Sequence, residues 1–61
     1  MKLKKDGIYQ EKSSLRLIVV TGLLSDSVNY DWLYNKQHAN SLRKNFVKRF
    51  RDWIKPGPAA E

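Results

Sequence analysis

The chain has no cysteine in its 61 residues, and this constrains its fold more than any other feature. Neither a disulfide framework nor a cysteine-based zinc site can brace it. A chain of this length buries only about 60% of the surface that it exposes when unfolded. It must therefore fold on a small apolar core or together with a partner. It is one domain at most, and too short to wall a substrate pocket of ordinary size. These limits point away from an enzyme.

Material for a core is present. Hydrophobic residues make up 41% and charged residues 30%, an ordinary globular balance and too apolar for a disordered chain. The longest apolar run is Leu17-Ile18-Val19-Val20, followed after Thr21-Gly22 by Leu23-Leu24. That is far short of the roughly 20 residues of a membrane-spanning helix. The basic start, Lys2, Lys4 and Lys5, leads into no apolar stretch of the signal-peptide kind. Together with the missing cysteines, this predicts a cytoplasmic setting.

Local patterns predict three strands and a helix. Ile8 to Glu11 follows the turn pair Asp6-Gly7 and reads as a first strand. Leu15 to Thr21 is dense in β-branched residues and reads as a second, buried on much of both faces. Ser27 to Tyr34 alternates, with Val28, Tyr30, Trp32 and Tyr34 on one side. Asn35 to Asn40 is polar and turn-like. From Ser41 or Asn40 as N-cap, apolar residues at 42, 46, 47, 50, 53 and 54 form one helical stripe about 140° wide. Lys55-Pro56-Gly57-Pro58 ends that helix.

The fold predicted is α+β: a three-stranded antiparallel meander, small-barrel-like, with one C-terminal amphipathic helix. Residues 1–55 form a single β-β-β-α mini-domain and 56–61 a flexible tail. The expected core is Ile8, Leu17, Val19, Val28, Tyr30, Trp32, Leu42, Phe46, Phe50, Trp53 and Ile54.

Twelve Lys and Arg against six Asp and Glu give a net charge of +6. The excess is local. Residues 7–40 are neutral, whereas 41–55 carry Arg43, Lys44, Lys48, Arg49, Arg51 and Lys55 against Asp52. On the helical wheel Lys44, Lys48, Arg51 and Lys55 fall within about 60°, opposite the apolar stripe, with Arg43 and Arg49 flanking it. Such a row suits a phosphate backbone, with Lys2, Lys4 and Lys5 as further contacts. It also suits an acidic protein surface, an ordinary solvated face or, with Trp53 and the Phe residues opposite, a membrane surface, although the sheet would then have nothing to pack on. Aromatic rings can stack on bases, and Tyr9 and Tyr34 are the rings expected at the surface.

Catalytic constellations are missing from the pattern. His38 is the single histidine, in a polar stretch without clustered carboxylates, so neither a metal site nor a triad is predicted. No Gly-rich phosphate loop occurs, and no cofactor is expected.

The string Asp6-Gly7-x-Tyr9, Leu17-Ile18-Val19-Val20-x-Gly22, Val28-x-Tyr30 and Phe46-x-x-Arg49-Phe50 resembles short uncharacterised proteins of lambdoid phages and prophages. The resemblance spans roughly residues 4–53. It implies a curled, small-barrel-like sheet paired with a terminal F-x-x-x-F segment, and an accessory protein of the phage kind without catalytic residues. The function expected is a small basic non-enzymatic protein that binds DNA or RNA through its helix. The alternative is a modulator or adaptor that docks on an acidic host protein. The small size also allows a homodimer, with Asn29, Asp31, Leu33 and Leu23-Leu24 as its contacts.

Overall fold

A computed structural model describes residues 2–54. Lys55 and the expected tail, 56–61, lie outside the described residues. Five strands and one helix follow in the order β1 (Ile8–Glu11), β2 (Leu17–Leu23), β3 (Ser27–Trp32), β4 (His38–Leu42), α1 (Arg43–Arg49) and β5 (Phe50–Asp52). All pair antiparallel in one sheet of order β4-β3-β2-β1-β5. The first four strands form a meander. The chain then crosses one sheet face as α1 and adds β5 beside β1, at the far edge. β4 and β5 do not pair, so the sheet stays open.

The α+β class holds, but the sheet has five strands where three were expected. The polar stretch read as a turn supplies β4, and the expected long helix is short. α1 has seven residues, with Leu42 at its N-cap and no side-chain cap, so neither Ser41 nor Asn40 caps it. It ends at Phe50, which is extended because Phe50-Arg51-Asp52 pairs with Glu11-Gln10-Tyr9.

Two hairpins share one loop geometry. The N–H of Leu15 donates to the carbonyl of Glu11, and that of Lys36 to Trp32. Each loop has four residues, and the last is left-handed: φ is 64° at Leu15 and 59° at Lys36. Asp6, at φ 66°, turns the chain into β1. A Cβ on the following Gly7 would stand 3.0 Å from the Lys4 carbonyl oxygen and 3.1 Å from the Tyr9 ring, so only glycine fits there without displacement.

The face under α1 is the core: Tyr9, Ile18, Val20, Val28 and Tyr30 from the sheet, with Phe46 and Phe50. Phe46 and Phe50 stack at 4.5 Å, and Tyr30 meets both edge-on. Of the expected core, Val28, Tyr30, Phe46 and Phe50 are buried. Trp32 and Trp53 are half-buried, and Leu42 and Ile54 are exposed. β1 and β2 are inverted relative to expectation. Tyr9, Ile18 and Val20 point inward, so Ile8, Leu17 and Val19 lie on the outer face, where none of the described residues forms a further layer. Beyond Val20 the register shifts, with Thr21 as the extra residue. The bulge turns Leu23 onto the inner face, where it packs on the core.

Candidate functional site

Helix geometry decides which cations on α1 are free. At 100° per residue, Lys44 and Lys48 stand about 160° to either side of the buried Phe46, and Arg43 and Arg49 about 60°. The two lysines therefore project from the helix roof one turn apart, and both are exposed. The two arginines lean back onto the sheet. Arg43 Nε donates to the carbonyl of Leu24 at 2.7 Å.

Arg49 Nε donates to Glu11 Oε2, and its guanidinium lies 5.5 Å from the Trp32 ring and 5.3 Å from the Phe50 ring. Glu11 is the one buried charged residue among those described. The Ser14 hydroxyl donates to its other oxygen. That hydrogen bond, together with Arg49, outweighs desolvation and holds the Glu11 carboxyl below its ordinary range. Burial, in contrast, pushes the Tyr30 hydroxyl up.

The expected cation row is divided between two faces. Arg51 lies on β5, opposite Gln10, and its guanidinium donates twice to Gln10 Oε1, at 3.0 and 2.8 Å. Strand alternation puts it on the outer face, away from Lys44 and Lys48. The single helical row of Lys44, Lys48, Arg51 and Lys55 is thus replaced by a lysine pair and an arginine across the sheet, with Lys55 outside the described residues.

The N-terminal lysines form a second basic region. Tyr9 is the anchor, since its hydroxyl accepts from the Lys4 N–H at 2.9 Å and donates to the Lys2 carbonyl at 3.1 Å. Its ring is 3% exposed, which removes Tyr9 as a stacking surface. A groove of about 530 Å³ lies beside it, lined by Lys2, Lys4, Asp52, Trp53 and Ile54 among others. Lys5 sits in the turn before β1, exposed. Tyr34 is exposed as expected, but the Arg16 guanidinium stands 4.1 Å from its ring centroid. One of its two faces is thereby occupied.

Strand β4 was hidden in the sequence, and with it a polar cluster on the outer face. His38 Nδ1 lies 2.5 Å from Asp31 Oδ1, and Asn40 Nδ2 donates to Asn29 Oδ1 at 2.6 Å. These are directly opposed residues of β3 and β4. His38 remains highly exposed. Equal spacing of Asn29-x-Asp31 and His38-x-Asn40 was the available signal, and it is faint without an apolar partner face.

Among the described residues no helix is long and apolar enough to cross a membrane. Comparison with known proteins matches no family model, no curated protein and no solved structure.

Proposed function

We propose that the protein is a small, basic, non-enzymatic accessory protein of the phage kind that binds the phosphate backbone of DNA or RNA. One observation carries this reading. Among the described residues, Arg49 is the single Lys or Arg with a carboxylate at ion-pair distance. The positive charge is therefore largely uncompensated within the fold, and a polyanion would supply the missing counter-charge. Lys44 and Lys48 are the primary contacts, and Lys2, Lys4 and Lys5 extend them. Arg43 and Arg49 serve the fold first, since their guanidinium groups are already engaged. Contacts of this sort position a protein on a duplex without reading its sequence.

Fluorescence anisotropy with a short DNA duplex and its RNA counterpart, across a salt series, tests the proposal. Binding should weaken with salt, with a log–log slope of about −0.9 per neutralised phosphate. Replacing Lys44 and Lys48 together by Glu should flatten the slope by about two contacts, whereas Arg51→Glu should change it less. Absence of binding at low salt to either duplex overturns the proposal.

A further inference from the structure

The two edges of the sheet are built differently. β5 is three residues long and two of them, Arg51 and Asp52, are charged. Short length and charge are the usual protections of a strand edge. β4 has five residues, His38-Ala39-Asn40-Ser41-Leu42, with no Lys, Arg or Pro. Nothing among the described residues pairs with its outer side.

The hydrogen-bond phase of that edge follows from its neighbours. The N–H of Arg43 donates to the Asp26 carbonyl, and that of Trp32 to the Gln37 carbonyl. In an antiparallel ladder the bonded pairs alternate, so Ala39 and Ser41 also bond β3. The N–H groups of His38, Asn40 and Leu42, and the carbonyls of His38 and Asn40, consequently point outward. They form an unused ladder.

Two depressions lie along the same strand. One, of about 520 Å³, is lined by Asn29, His38, Ala39 and Asn40, and the other, of about 390 Å³, by Ser25, Asp26, Leu42, Arg43 and Lys44. They are placed to receive alternate side chains of an added strand.

Charge selects the occupant. Exposed Lys36 precedes β4, and Arg43 and Lys44 follow it. Of the nearby acids, Asp31 is held by His38, and Asp26 lines the second depression. A second copy paired about a two-fold axis at Asn40 would bring the Lys36 end of one β4 beside the Arg43-Lys44 end of the other, like charge near like at both ends. A strand with acidic ends meets attraction at both.

We propose that the β4 edge accepts, by strand addition, an extended segment of a partner protein with carboxylates at both ends. This surface shares Lys44 with the helix roof, but its strand ladder is separate and does not rest on the nucleic-acid reading.

The test uses the full ¹⁵N-labelled chain and a blocked peptide of about nine residues, long enough at roughly 3.3 Å per residue to pair with all of β4 and carry its end residues past both ends of the strand. The peptide alternates Thr and Val between terminal Glu residues, and a control carries Lys in their place. The acidic peptide should shift the amides of His38, Asn40 and Leu42 and slow their hydrogen exchange. It should bind about tenfold more tightly than the Lys control at low salt. Asn40→Pro removes an outward donor without touching the β3 ladder, so it should abolish peptide binding and leave duplex binding intact. Asn40→Ala, which keeps the N–H, should bind the peptide as the parent does. Unshifted β4 amides, or equal affinity for both peptides, overturn the proposal. A dimer that Asn40→Pro dissociates also overturns it, by giving the edge to a second copy.

Discussion

Glu11 stands on the inner face of β1, two residues after the buried Tyr9, where an apolar side chain would be the ordinary choice. It is tolerated because Ser14 and Arg49 satisfy both carboxylate oxygens. Its pKa is depressed from the usual 4.5, so the folded state favours the ionised form. That contribution is complete above the unfolded value and is lost as pH falls through the folded one. Glu11→Gln should destabilise the protein by about 1–3 kcal/mol at neutral pH. The gap between variant and parent should narrow below about pH 4.5, as paired thermal melts would record. A second residue-level strain is Leu15, left-handed and exposed. A Leu there loses roughly 1–2 kcal/mol that Gly would not, against a Gly entropy cost of about 0.5–1 kcal/mol. Leu15→Gly should be neutral to stabilising by up to about 1.5 kcal/mol in urea denaturation, and Leu15→Val destabilising.

At the scale of elements, α1 holds the sheet through Phe46, and Phe50 extends the same contact from β5. Phe46→Ala should cost about 3–5 kcal/mol. For a domain of this length that approaches the whole stability, so calorimetry should show no cooperative transition. Ile54→Ala, at a position 86% exposed, should stay within about 0.5 kcal/mol of the parent. The helical stripe read from the sequence would have made both changes severe, and the reason is instructive. Phe46 and Phe50 are four apart, as in a helix, but the helix stops between them because the free side of β1 captures Phe50-Arg51-Asp52. Periodicity cannot see an edge that needs a partner. β3 was legible through its alternation, and β1 was legible as a strand from its turn residues but not in phase, because Ile8-Tyr9 offers an apolar residue on either face. β2 was legible as a strand but not in phase, because Leu17-Ile18-Val19-Val20 is apolar on both parities and the Thr21 bulge changes parity again. β4 was invisible: Asn40 and His38 face solvent, while Ala39 and Ser41 are too small to signal a buried face. The candidate cations were legible as a group, but their division depended on β5, since only strand alternation sends Arg51 to the other side.

At the scale of the molecule, the charge of +6 sits on a fold in which, among the described residues, Arg49 is the single Lys or Arg with a carboxylate at ion-pair distance. Self-repulsion of this kind is relieved by screening. Raising salt from low to about 0.3 M should raise the melting temperature by roughly 2–4 °C, equivalent to about 0.5 kcal/mol. The same salt should weaken any polyanion complex, so stability and binding should move in opposite directions. Sheet order adds one more consequence. Gln10 and Arg51 are 41 residues apart, and strand β1 finds its outer neighbour only in β5. A nascent chain emerging from a ribosome would hold four strands before either Phe46 or Phe50 was available to cover them. Its inner face would stay bare until synthesis had passed Asp52, so folding should be a late, all-or-none event rather than a stepwise one.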